Sequence, residues 1–217
     1  MNKRLTAFHV FLHSQLPPTP ARVLEIGCGK GELAGALAKD GYEVVAIDPE
    51  APRGAIFQSV TFEDFFDNDD FDAVVASVSL HHIDDLETAL DKVADLLRPG
   101  GILVLVEFSK ERLNGPTAEW YFHQRRAVAA IGRSETAVAD DFEAWQHELA
   151  GNLAEVHAFV DIRLWLDSRL VERHLAWTPY LYSYLLDDAL EPVERELIES
   201  GAIEATGVRY VGVVRAS

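Results

Sequence analysis

Three glycines at alternate positions, Gly27, Gly29 and Gly31, stand between an apolar run and the start of a helical pattern, and this junction constrains the chain more than any other stretch. The run before it, Arg22–Ile26 (RVLEI), has the length and β-branched character of a buried strand. Behind it, Glu32–Asp40 reads as a helix, with Gly41 placed to end it. Glycine accepts positive φ and lets backbone approach a ligand with no Cβ between them. The helix start adds unpaired N–H groups and the positive end of a dipole, which suit a carboxylate or another anion. The dinucleotide spacing G-x-G-x-x-G does not fit, because the third glycine comes one residue early and Glu32 stands where it is needed. Glu25 would also repel a pyrophosphate. No G-K-[ST] follows, so a P-loop is excluded.

The alternation continues beyond the junction. Tyr42–Ile47 and Asp72–Ser77 read as strands, with Ala55–Val60 a short one between them. Asp85–Leu97 carries Leu86, Leu90, Val93, Ala94 and Leu97 at helical spacing until Arg98-Pro99-Gly100-Gly101 breaks it. Ile102–Phe108 (ILVLVEF) is almost wholly apolar, as a strand covered on both faces must be. Strands and helices in this order predict an open, doubly wound α/β sheet that binds ligands at the carboxyl ends of its strands. Asp48–Gly54 (DPEAPRG) holds two prolines, so the crossover helix normally found there is expected to be absent or reduced to a turn.

Residues 1–18 carry Phe8, Phe11, Leu12 and Leu16 at the spacing of a short amphipathic helix. Residues 112–190 read as a mostly helical, aromatic-rich cap that holds all four tryptophans. Glu191–Ser200 is expected to be another helix, and Ala202–Arg215 two closing strands bent near Gly207. The whole of 1–217 is read as one domain with the cap inserted in it. The net charge of −17 repels a phosphate backbone and argues against a nucleic-acid partner. No apolar run is long enough for a membrane span and the start lacks the features of a signal peptide, so a cytoplasmic protein without a membrane partner is expected. Cys28, the one cysteine, offers neither a disulfide nor a cysteine cluster for zinc, and no metal site is expected. A monomer or a homodimer fits equally.

The segment VLEIGCGKGELAGALA resembles motif I of the class I S-adenosylmethionine (SAM)-dependent methyltransferases, the pattern [DE]-x-G-x-G-x-G. The resemblance runs on in family order through Asp48-Pro49, Glu63-Asp64-Phe65, Ser77-Val-Ser-Leu-His-His and Leu97-Arg-Pro-Gly-Gly. It is similar to a small bacterial group within that family. The resemblance implies a Rossmann-like sheet of seven strands, mostly parallel with an antiparallel last strand, SAM as cofactor, and methyl transfer to a small-molecule acceptor.

It also implies roles for particular residues. Gly27, Cys28 and Gly29 would lie against the methionine part of SAM with Glu25 near its amino group. Asp48, followed by Pro49, would accept the ribose hydroxyls. Thr61, Phe62 and Glu63 would flank the adenine; many relatives carry Asp at the place of Thr61, and Glu63 is the substitute for its contact. Ser77 would lie under the cofactor at the strand end. Cys28 has a second reading, as a nucleophile at a helix N-terminus, beside that of a small residue tolerated between glycines. His81 or His82 is the candidate general base, against a purely structural role for the pair. Glu107 either faces the acceptor or serves as a helix-capping or solvent-facing carboxylate. The aromatic residues of Ala176–Tyr184 and Trp120–His123 either roof a pocket for a flat, apolar acceptor or pack the appended helices. Two other functions compete: a SAM- or S-adenosylhomocysteine (SAH)-binding protein without methyl transfer, and a nicotinamide-dependent oxidoreductase, which the glycine spacing disfavours.

Overall fold

In the computed structural model the described residues are 3–83, 85–133, 138–185 and 189–215. The first helix, α1 (Lys3–Gln15), buries Phe8 and Leu12 and leaves Val10 exposed. Then come β1 (Arg22–Ile26), α2 (Glu32–Lys39), β2 (Glu43–Asp48), β3 (Phe57–Ser59), β4 (Phe71–Ser77), α3 (Leu86–Leu96) and β5 (Leu97–Phe108). Gly41, at φ +99°, turns the chain out of α2, and the Asp85 side chain caps α3 by accepting from the Thr88 N–H at 3.1 Å. The chain proceeds through α4 (Gly115–Ala130), α5 (Phe142–Leu153), α6 (Phe159–Arg169), β6 (Leu170–Thr178), α7 (Leu190–Glu199) and β7 (Gly207–Val214).

The seven strands form one sheet in the order β3-β2-β1-β4-β5-β7-β6. β1 pairs in parallel with both β2 and β4, β2 with β3, and β4 with β5, while the last strands are antiparallel. The order reverses between β1 and β4, the crevice where open α/β sheets bind ligands. The Asp48–Gly54 connection holds no helix, as its prolines dictate. Arg98–Gly101 ends α3, but it does so by starting β5 early.

One element departs from the sequence pattern. Residues 201–206 are not a strand; β7 lies between β5 and β6, and β6 comes from a stretch read as helical. β6 lies at the sheet's edge and is exposed or half-buried along most of its length, so it lacks the alternation that marks a strand with one buried face.

The chain divides into two compact units, Met1–Glu107 with Asp161–Ala176 and Arg209–Ser217, and Phe108–Val160 with Trp177–Val208. The stretch 161–176 thus belongs with the sheet and not with the helical region expected over 112–190. In the first unit, Phe8 and Leu12 of α1 join Val23, Leu33, Leu37, Val44, Val75 and Val104 in one core cluster. On the burial scale of about 1.5–3 kcal/mol per large apolar side chain, this packing is what holds α1 in place.

The second unit is built on aromatic packing. Trp145 of α5 lies 5.9 Å from Tyr121 and 5.5 Å from Phe122 of α4, ring centre to ring centre. Buried Glu194 of α7 accepts three backbone N–H groups, from Tyr180 (2.8 Å), Leu181 (3.1 Å) and Tyr182 (2.8 Å). Among the described residues no helix is long and apolar enough to cross a membrane.

Candidate functional site

The glycine turn after β1 needs its glycines for two different reasons. Gly27, Gly29 and Gly31 all have left-handed φ, +74°, +50° and +74°. At Gly27 there is no room either: a Cβ would lie 2.6 Å from Cβ of Ser79. At Gly31 it would lie 2.5 Å from the Phe57 ring, whereas at Gly29 it would meet nothing within 4 Å. Gly27 and Cys28 donate their N–H groups to the Ile47 carbonyl at 2.9 and 3.0 Å, which ties the turn to β2.

Two carboxylates flank this turn. Asp48, at the end of β2, accepts from the Gly29 N–H through Oδ2 (2.9 Å) and from the Glu50 N–H through Oδ1 (2.8 Å). Each oxygen keeps a second lone pair, so these bonds leave the carboxylate able to accept more. Glu25 is 2% exposed, and its Oε2 has no hydrogen-bond partner. Burial raises its pKa to about 7; the Ala34 N–H works against that rise and the charge of Asp48 adds to it. A buried acid held near neutrality beside an unfilled acceptor fits an arriving cation, as the ammonium of an amino-acid moiety would be.

Cys28 is buried, and its thiol is pushed up to about 12 by desolvation and by the charges of Glu25 and Asp48. The thiolate needed for nucleophilic chemistry is therefore disfavoured, and the reading as a small residue between glycines fits the structure.

After β3, Thr61 Oγ1 accepts from the Asp64 N–H at 3.2 Å and Phe62 is buried. Lys92, on α3, donates from Nζ to the carbonyls of Phe62 (2.7 Å) and Glu63 (2.9 Å). Its pKa is lowered by desolvation, against the opposing charges of Glu63 and Asp64. Sequence reasoning missed this lysine because the contact joins residues 29 and 30 positions apart and has no local pattern.

The chain leaves β4 through a strained residue. Val78 has φ +58°, a conformation that costs a β-branched residue about 1–3 kcal/mol. This conformation goes with a Ser79 turned toward β1, where its Oγ donates to the Ile26 carbonyl at 3.0 Å. Glu107, from β5, holds the short 3-10 turn Leu80–His82 from below. Its Oε1 accepts from the N–H groups of Ser79 (3.2 Å) and Leu80 (3.0 Å), and its Oε2 meets His81 Nδ1 at 2.5 Å. Glu107 is 0% exposed and His81 4%, so the solvent-facing reading of Glu107 is corrected: it caps this turn from inside the protein. The sequence could not show this, since a glutamate ending an apolar strand has the same local pattern whether or not another segment covers it. The side chain of His82 lies outside the described residues.

These pieces enclose a cavity of about 460 Å³, within the range of small-molecule sites. Of the residues singled out in the sequence, Gly27, Asp48, Pro49, Thr61, Phe62 and Glu63 line it. Glu25, Cys28, Gly29, Ser77, His81 and Glu107 do not; Val78 and Ser79 take the place expected of Ser77. Ile26, Ile47, Val60 and Ile83 complete the wall with apolar side chains suited to a flat ring.

Comparison with known proteins bears on the family and the fold. A family model described as a methyltransferase domain matches residues 2–163. An uncharacterised methyltransferase of Mycobacterium bovis is 36% identical over 115 residues, covering 46% of this chain and 57% of that protein. A ubiquinone biosynthesis O-methyltransferase of Xylella fastidiosa is 34% identical over 108 residues, 43% of this chain and 44% of that one. The matches thus span about half the length of these relatives. Among solved structures, a SAM-dependent methyltransferase described as putative, from Listeria monocytogenes, superposes with a TM-score of 0.61 at 16% identity, covering 98% of this chain and 100% of that one. The N-methyltransferase NodS of Bradyrhizobium japonicum, in complex with SAH, gives 0.56 at 15% identity, over 98% of this chain and 86% of that one. At these identities the structures establish the fold.

Proposed function

This chain belongs to the methyltransferase domain family and has SAM as its cofactor, and from that premise we propose that it transfers a methyl group from SAM to a small-molecule acceptor. The observation that carries the reading is the cavity at the carboxyl ends of β1, β2 and β4, where Gly27, Asp48 and Thr61–Glu63 meet. When bound, SAM supplies a methyl group made electrophilic by the sulfonium that carries it.

In this reading the Gly27–Gly29 backbone holds the methionyl portion, and Glu25 provides the acceptor for its ammonium. Asp48 takes the ribose hydroxyls on its remaining lone pairs, and the Thr61–Glu63 segment, steadied by Lys92, lies along the adenine with Val60 and Ile83. Methyl transfer then needs alignment above all, with removal of a proton where the acceptor is a neutral hydroxyl. His81 and Glu107 support this best as positioning residues, which hold Ser79 and Leu80 at the cavity's edge. With Nδ1 directed at Glu107, base chemistry at His81 belongs to Nε2. The name of the Xylella relative, an O-methyltransferase of ubiquinone biosynthesis, supports an acceptor of small-molecule size.

The test is incubation with methyl-labelled SAM and a panel of small aromatic and apolar hydroxyl, amine and carboxyl compounds. Label transferred to one compound class, with equimolar SAH formed, is the expected result. Tight SAH binding without acceptor-dependent turnover across the panel would instead favour a SAM-binding protein that does not transfer the methyl.

A further inference from the structure

Away from the cavity, three metal-ligating side chains converge on the first unit's surface. His9 and His13 stand one turn apart on α1, where residues four positions apart share a face. Asp40 is the C-cap residue of α2. One carboxylate oxygen, Asp40 Oδ2, lies 2.6 Å from His9 Nε2 and 2.8 Å from His13 Nε2. The three potential ligand atoms all fall within 4.8 Å of one another.

The backbone under this cluster is well held. Phe8 and Leu12, each adjacent in sequence to one of the histidines, are buried in the core and set the rotation of α1. Gly41 fixes the end of α2 behind Asp40. The side chains keep access to solvent, with exposures of 18% for His9, 44% for His13 and 29% for Asp40. An ion can therefore enter without unfolding anything.

We propose that His9, His13 and Asp40 form a three-ligand site for a divalent transition-metal ion, zinc being the best fit, which clasps α1 to the end of α2. Two imidazoles and one carboxylate are a donor set for zinc and its neighbours in the first transition row. Magnesium and calcium need more oxygen ligands than this cluster offers. Zinc bonds near 2.1 Å in a tetrahedron would set the ligand atoms roughly 3.4 Å apart, about 0.7 Å wider than the hydrogen-bonded spacing. Rotation about the side-chain torsions of these partly exposed residues covers that difference. On binding, each imidazole presents the lone pair of Nε2 and carries its proton on Nδ1, and water completes the coordination.

The site escapes a sequence reading because Asp40 lies 27 residues beyond His13, and the two are joined only when α1 packs on the sheet domain.

The experiment is calorimetric titration of the tag-free, chelator-treated full chain with zinc chloride at pH 7.5. One equivalent is expected to bind, with a rise in Tm of about 5 °C at saturating zinc. Cobalt(II) in its place is expected to give the visible absorption of a tetrahedral site. Asp40→Asn and His13→Ala should each weaken zinc binding at least about tenfold. His13→Gln, whose amide can still donate to Asp40, tests the metal ligand separately from the fold. His147→Ala, in α5, should leave binding unchanged. Absence of stoichiometric zinc binding, or full affinity retained in Asp40→Asn and His13→Gln, would overturn the proposal.

Discussion

Nδ1 of His81 lies 2.5 Å from Oε2 of Glu107, with both side chains sealed from solvent. The pair joins the turn after β4 to the end of β5, and the same carboxylate gathers the Ser79 and Leu80 amides. The edge of the cavity formed by Val78 and Ser79 is thereby built on a buried acceptor.

Removing that acceptor should be costly. Glu107→Ala takes away the partner of a buried and a half-buried N–H group and of a buried imidazole, and is expected to lower unfolding free energy by about 3–5 kcal/mol. Glu107→Gln keeps one acceptor oxygen and should lose roughly half as much. Urea denaturation of the two variants beside the parent chain checks the order.

Asp48 should separate ligand binding from stability. Asp48→Ala is expected to weaken SAH by about 1.5–3 kcal/mol, the worth of hydrogen bonds to a charged group, or roughly ten- to 150-fold. Asp48→Asn, which keeps one carbonyl oxygen, should fall between. Isothermal titration gives the answer, and an unchanged Kd in a folded Asp48→Ala would remove this residue from the proposed site.

Glu25 links the fold to pH. Its folded pKa, about 7, exceeds the ordinary 4.5, chiefly through burial. Between those values the native state holds a proton that the unfolded chain has released. The stabilising contribution is thus complete below pH 4.5 and is lost as pH rises through about 7. Glu25→Gln, permanently neutral, should therefore gain up to about 3 kcal/mol of stability over the parent at pH 8 and little at pH 4.5. The same variant should bind SAH more weakly at pH 8. Thermal melts at the two pH values, paired with SAH titrations, test both halves.

Gly27 should tolerate no side chain. Gly27→Ala brings a Cβ to 2.6 Å from that of Ser79 and places alanine at φ +74°. A loss of about 2–4 kcal/mol is expected, with SAH binding lost alongside it. Gly29→Ala, with open space around its Cβ, should cost only the backbone strain of about 1 kcal/mol. Equal destabilisation of the two variants would contradict the close approach of Gly27 to Ser79.

Lys92 offers a milder perturbation. Lys92→Met should keep the fold, because the stem still packs, but release the Phe62 and Glu63 carbonyls. SAH affinity should fall by about three- to tenfold, with adenosine showing the same loss if the effect lies on the adenine side.

Much of this protein is written in local pattern. The apolar runs, the glycine turn after Ile26 and the breakers after Leu97 determine a doubly wound sheet, because strand length, helical period and turn chemistry act over a few residues. The same locality made Gly27, Asp48 and Thr61–Glu63 legible as a site, since each follows directly on a strand that the sheet must bring to one edge. Tertiary structure decided what depends on segments far apart in the chain. β6 is a strand because β7 offers it an edge, although its own residues show no alternation. Glu107 became a buried cap, and Glu25 an acid near neutrality, because other segments exclude water from them. Val78 takes a left-handed turn because Ser79 is bonded to β1 and to Glu107 on either side. Desolvation, long-range hydrogen bonds and edge pairing leave no trace in neighbouring residues, and only the folded chain assigns them.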